Sequence, residues 1–168
     1  MKHKLTLLFL LISIASIAQK SGYEEDAVSV ESLTSAYYDC VSGPIGQTRD
    51  FDRLRNLFHS NAQLTYSYWS EEEQKNKLMH MDIEEYIEKL DYLDKKGFYE
   101  EELFSKVEMY GSIVQTISTY KFWMEDKSAE GRGFSSYNLF YDGNRYWILS
   151  MFWMMESKKY PIPDEFLD

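Results

Sequence analysis

The chain has 168 residues, enough for one domain with its own core, and carries 28 acidic residues against 18 basic ones, a formal charge of −10 at pH 7. That balance excludes nucleic acid and anionic membrane surfaces as partners, since both would repel it. A single cysteine, Cys40, excludes an internal disulfide. It falls on the apolar face of a predicted helix beside Asp39, the setting of a small buried hydrophobe and not of an activated thiol.

Lys2, His3 and Lys4 precede a largely apolar stretch from Leu5 to Ala18, and Ser16-Ile17-Ala18 supplies the small residues a signal peptidase requires. Fourteen residues in a helix fall short of a hydrocarbon core of about 30 Å. The pattern predicts a signal peptide over 1–18, cleaved before Gln19, and a secreted or periplasmic protein with no membrane insertion afterwards. Cleavage would leave 16 basic residues against 28 acidic, a formal charge of −12. Residues 19–27 read as a flexible leader, 28–156 as the domain and 157–168 as a C-terminal tail.

Within the domain, Val30, Leu33, Ala36, Tyr37, Cys40 and Val41 recur at the spacing of one helix face, and Gly43-Pro44 ends that helix. A second helix is predicted from Asp50, with Phe51, Leu54, Leu57 and Phe58 on one side and Asn61 closing it. Gln63 to Trp69 reads as a strand, residues 70–77 as a polar hairpin or loop, and Leu78 to Met81 as a short return strand. Asp82 with Glu85 three residues on is a helix-start signal, and Ile83, Tyr86, Ile87, Leu90 and Leu93 give the third helix its apolar face, which Gly97 ends. Four β-like runs follow: Phe104–Tyr110, Ile113–Met124, Phe134–Tyr141 and Tyr146–Met155. Gly111-Ser112 and Asp142-Gly143-Asn144 mark tight turns between them. The acidic runs Glu71-Glu72-Glu73 and Glu100-Glu101-Glu102 read as solvated faces. Helices first and a meander of long strands afterwards predict an α+β fold, with the helices covering the concave face of a curved sheet.

Three strings carry a family resemblance. Arg49 to Phe58 followed by Asn61-Ala62-Gln63-Leu64 resembles the second-helix signature of nuclear transport factor 2-like domains. Met81 to Ile87 resembles the start of their third helix, and Gly131-Arg132-Gly133-Phe134 through Asp142 to Ser150 their last hairpin. The similarity covers about residues 28–156 and implies a cone-shaped fold, N-terminal helices packed on a strongly curved, mostly antiparallel sheet. The scaffold hosts isomerases, dehydratases, cyclases and binding modules, so the resemblance does not fix a function.

The second-helix string is most similar to that of the scytalone dehydratases. Matching that site position by position implies that Tyr66 stands where a strand tyrosine helps hold the catalytic water, and Asn138 where an asparagine binds substrate. Tyr38-Asp39 falls at the Tyr-Asp pair closing the first helix. The two histidines of that mechanism have no counterpart; their positions fall near Glu108 and Trp123, which argues against that particular dehydration.

Read on their own chemistry, His59 and His80 lack ligand spacing, so no metal site is expected, and no glycine-rich loop or other motif calls for a cofactor. His80 precedes the third helix, within reach of a pocket mouth. A carboxylate among phenols is the chemistry left open: Asp39 and Glu108 as candidate bases and Tyr37, Tyr66 and Tyr120 as candidate donors, although Tyr37 on its helix face is more simply core, with Tyr38, His80, Trp123 and Asn138 beside Tyr66 and Tyr120 as candidate substrate contacts. Aromatic residues make up 17% of the chain, and Phe122, Trp123, Phe134, Phe140, Phe152 and Trp153 on the strands suit a flat hydrophobic ligand, a filled core or a dimer face. Two readings follow: a pocket for a small hydrophobic molecule, with lyase or isomerase proton transfer available in it, or a non-catalytic dimerising module with a filled core. A buried carboxylate without a basic partner would favour the first. The expected site brings Tyr66, Asn138 and at least one of Asp39 and Glu108 into one cavity. The expected homodimer forms through the uncovered sheet face bearing Trp123, Phe152 and Trp153.

Overall fold

Helix α1 (Val30–Val41) begins where two serines cap each other: Ser29 Oγ accepts from the Ser32 amide and Ser32 Oγ from the Ser29 amide, both at 3.0 Å. The computed structural model describes residues 22–167. The expected signal peptide and its cleavage before Gln19 lie outside the described residues. Helix α2 (Phe51–Leu57) opens on Asp50, whose carboxylate accepts from the Arg53 amide at 2.9 Å. It stops four residues short of the predicted end at Asn61, because Phe58 is already buried in strand β1 (Phe58–Ser70) and pairs with Ile148. Sheet pairing here overrides the local helical spacing.

Strand β2 (Lys75–Met81) returns antiparallel to β1 and leads into α3 (Ile83–Leu90), which carries the expected capping box: Asp82 accepts from the Glu85 amide at 2.9 Å and Glu85 from the Asp82 amide at 3.0 Å. A 3₁₀ turn over Asp91–Lys95 and Gly97, at φ 64°, bring the chain into β3 (Phe98–Tyr110). Strands β4 (Ile113–Met124), β5 (Glu130–Tyr141) and β6 (Tyr146–Met155) complete the meander.

The six strands lie in the order β2-β1-β6-β5-β4-β3, antiparallel except for the parallel β1–β6 pair that joins the helical half to the meander. The fold is α+β, as expected, with all three helices packed on the inner face. Val114, Thr116, Ser118 and Tyr120 of β4 are buried there, while Gln115 and Lys121 face outward. Among the described residues no helix is long and apolar enough to cross a membrane.

The outer face is less open than the sequence suggests. Trp153, expected there, points inward against Tyr66 and Tyr86. Residues 157–167, expected as a tail beyond the domain, return across the outer face. Ile162 is buried, Phe166 sets its ring edge-on to Phe104 and Phe134, and Thr119 donates to the Phe166 carbonyl at 2.5 Å. Phe152 is 47% exposed, and Trp123 stacks on Tyr99 with ring centroids 5.3 Å apart.

On the inner face Tyr120 lies flat over its cross-strand neighbour Gly133; a Cβ at that glycine would stand 2.3 Å from the ring and its hydroxyl. We expect Gly133→Ala to displace the Tyr120 ring and cost about 1–3 kcal/mol, the range for overpacking a tight core. Urea unfolding checks this, and an unchanged midpoint would count against the packing described.

Candidate functional site

The pleat of the sheet sends Glu100, Tyr120, Ser135, Tyr137, Met151 and Trp153 into the cone, and α1 and α3 close over them with Tyr37, Tyr38 and Tyr86. Together they enclose a cavity of about 30 Å³. The Tyr37 and Tyr86 hydroxyls lie 2.5 Å apart. Tyr38 bonds Ser118 Oγ at 2.8 Å, and Ser118 donates to the Glu102 carboxylate at 2.6 Å. Because the Ser118 proton is committed to Glu102, Tyr38 must be the donor in its bond to Ser118. A hydrogen-bonded chain therefore runs from half-buried Glu102 to the cavity wall. Tyr66 extends the wall: its ring lies 5.6 Å from that of Trp153, and it also lines an open groove of about 400 Å³ shared with Tyr68, Trp69, Met155 and Lys159.

The constellation expected from the sequence does not assemble. Tyr38 and Tyr120 are in the cage and Tyr66 stands at its margin. Asn138 is exposed on the opposite face, because it follows inward-facing Tyr137; it accepts from Gln115 at 3.3 Å and donates to Ser150 at 2.8 Å. Asp39 points to solvent from the outer side of α1, 3.5 Å from Arg53. Glu108 lies on the exposed half of β3, paired with Lys106 at 3.0 Å. Trp123 alternates outward from Phe122, and His80 is exposed, bonded to Thr65 at 3.0 Å. Phe134, Phe140 and Phe152 also alternate outward, so of the six strand phenylalanines and tryptophans expected to line the pocket, Phe122 and Trp153 contribute to the interior. No cluster of histidine, cysteine, aspartate or glutamate suited to a metal occurs among the described residues.

Comparison with family models and with curated proteins found no match. Solved structures do match. A nuclear transport factor 2-like protein of unknown function from Pseudomonas putida aligns at a TM-score of 0.57 and 9% identity, covering 80% of this chain and 90% of its own. A proposed dehydratase of the same kind from Streptomyces avermitilis aligns at 0.57 and 10% identity, over 79% and 96%. The beta subunit of benzoate 1,2-dioxygenase from Burkholderia mallei aligns at 0.55 and 9%, over 83% and 98%. The fold is nuclear transport factor 2-like. At such identities the likeness carries the fold and not an activity.

Within this nuclear transport factor 2-like cone the group that sequence reasoning missed is Glu100. The acidic run 100–102 reads as a solvated face, but it belongs to β3, which starts at Phe98 and not at Phe104. Alternation then turns Glu100 and Glu102 inward and leaves Glu101 outside, paired with Lys121 at 2.8 Å. The signal was available: Phe98 and Tyr99 after Gly97 are strand-type residues, and a strand from there cannot expose three successive carboxylates.

Over the whole residue Glu100 keeps some accessible surface, and its carboxyl lines the small cavity among the phenols, surroundings that govern its acidity. No described cation or hydrogen-bond donor meets it, so desolvation pushes it up from 4.5 to about 8. Burial also raises Glu102, an effect the Ser118 bond opposes. Tyr37, Tyr38, Tyr86 and Tyr120 are held well above the usual phenol range, by burial first and by the Glu100 carboxyl and neighbouring phenols after it. The interior is therefore rich in hydroxyl donors, and its described carboxyls are Glu100 and the half-buried Glu102 behind Ser118.

A carboxyl whose proton is held more tightly in the folded state stabilises the fold fully below pH 4.5, and that contribution is lost as pH rises to about 8. Wild type should lose a few kcal/mol more than Glu100→Gln between pH 5 and pH 8.5. Parallel pH profiles for the two proteins in denaturant titrations would contradict the placement of Glu100.

Proposed function

We propose that the protein binds a small, largely apolar molecule bearing a carbonyl or hydroxyl oxygen in its tyrosine-lined interior, and that Glu100 exchanges a proton with it there. The observation that carries this reading is the Glu100 carboxyl on the cavity wall, without a cation or hydrogen-bond partner among the described residues. A core built only for packing has no use for such a group, because an unpartnered buried polar group costs about 1–3 kcal/mol. A carboxyl poised near pH 8, facing several phenols, can give or take a proton while the phenols donate to a developing oxyanion. The groove beside Tyr66 offers the approach, and the Tyr66–Trp153 ring pair is what must swing aside. Binding occurs outside the cytoplasm, after the chain is cut before Gln19.

One observation favours a second reading, a non-catalytic module with a filled core. The cavity of about 30 Å³ has room for little more than a single water. Under that reading the phenols pack the cone and Glu100 is merely tolerated.

The flat bicyclic ketone 2-tetralone distinguishes the two. We expect saturable binding, read by tryptophan fluorescence, and accelerated exchange of its α-protons in D₂O, read by proton NMR. Glu100→Gln should retain binding and lower the exchange rate on the order of 10²-fold or more, the usual contribution of a positioned acid-base group. Neither binding nor exchange with wild type would leave the filled core as the function of this interior. Export has its own check: N-terminal sequencing of protein recovered outside the cytoplasm should begin at Gln19, and an intact Met1 would refute cleavage.

A further inference from the structure

The outer edge of β3 changes character half-way along. At its start the edge is closed. Gly43 and Phe98 exchange both backbone hydrogen bonds, at 2.7 and 3.0 Å, and Ser42 Oγ accepts from the Glu100 amide at 2.9 Å. From Ser105 to Tyr110 no described segment pairs with it, and all six residues are exposed. Val107, Met109 and Tyr110 are 39%, 55% and 86% exposed. A free strand edge carrying large apolar side chains is a template for another strand.

We propose that this edge pairs antiparallel with the same edge of a second copy, about a two-fold axis at Val107, joining two six-stranded sheets into one. The occupant is a second copy because the edge is complementary to itself. A two-fold axis that sets edge strands antiparallel stands along the sheet normal, so outward residues oppose outward ones. With Val107 opposite Val107, Lys106 opposes Glu108 of the second copy and Glu108 opposes its Lys106. Met109 then opposes Ser105, and Phe104 opposes Tyr110. Sliding one pleat either way sets Lys106 against Lys106 or Glu108 against Glu108, which is unfavourable. The exposed Lys106–Glu108 pair within each strand, at 3.0 Å, is worth little alone, and the two such pairs of two copies are exchanged for two across the seam.

The backbone selects the same centre independently. The register of β3 against β4 breaks between Glu102 and Phe104, and the Gly111-Ser112 turn ends the strand after Tyr110. The uninterrupted segment is therefore 104–110, and its middle residue is Val107. Charge and regular geometry converge on one register, which buries Val107 and Met109 along the seam.

Sedimentation equilibrium of the purified protein tests this. Wild type should dimerise, and Lys106→Glu or Glu108→Lys, each setting like charges across the seam, should weaken dimerisation on the order of tenfold or more. The double reversal Lys106→Glu/Glu108→Lys should restore it. A Val107→Cys variant should form a disulfide-linked dimer on mild oxidation, since opposed Cα atoms about 4.5–5.5 Å apart suit a disulfide. Unchanged far-UV circular dichroism confirms that each variant folds. Monomeric wild type at several hundred micromolar, a dimer indifferent to both single reversals, or a double reversal that fails to recover would each overturn the proposal.

Discussion

Arg49 joins the parts of the molecule on which the interior depends. Its side chain has no exposed surface, and it donates to the carbonyls of Val41 at 3.3 Å, Gly43 at 2.8 Å, Gln47 at 2.8 Å and Phe98 at 3.4 Å, with Asp94 at 3.4 Å as its ion partner. It thereby binds the end of α1, the loop to α2 and the start of β3 to one cation, and hydrogen bonds from a charged donor are the stronger kind. The Gly43–Phe98 backbone pair is fixed at the same point. Once Phe98 is held facing inward, the pleat turns Glu100 into the cone two residues later. Arg49 is spent on these carbonyls and on Asp94, and no described cation reaches the Glu100 carboxyl. The unusual state of Glu100 thus follows from how the two halves of the fold are tied.

The remaining interior is arranged around that carboxyl. Gly131 and Gly133 flatten β5 so that Phe122 and Tyr120 can lie across it, which brings the Tyr120 phenol to the cavity wall. α1 contributes two adjacent tyrosines in different settings, Tyr37 against Tyr86 and Tyr38 toward Ser118 and Glu102. Phenols suit such a space: each ring fills volume like a core aromatic while its hydroxyl satisfies a neighbour. The same residues therefore serve packing and a polar site, which is why a small cavity and a functional carboxyl coexist.

Much of the fold was legible in the sequence. The apolar spacing of α1, the Asp82–Glu85 box and the runs of β4 and β6 appear in the structure with the predicted bounds. These signals are local and agree with the tertiary structure. The departures come where distant pairing decides. Phe58 to Ala62 join β1 because β6 receives them in parallel, and the start of β3 was concealed because charge was read before alternation. The site was less legible for the same reason. Tyr120 was found from residue type and Tyr38 from the resemblance, but Asp39, Glu108 and Asn138 face away, since one residue along a strand reverses the face and one along a helix turns it by about 100°. Resemblance supplied positions, not faces.

The central claim is that Glu100 is a desolvated carboxyl that holds its proton at neutral pH. Carbon-13 NMR of protein labelled at glutamate side-chain carboxyls, with the Glu100 signal assigned by its loss in Glu100→Gln, measures this directly. The account predicts a carboxyl that titrates near pH 8, far above the ordinary glutamate value of 4.5. A Glu100 signal that titrates at the ordinary glutamate value of 4.5 would show the carboxyl to be solvated or paired, and would remove the basis of the proposed site.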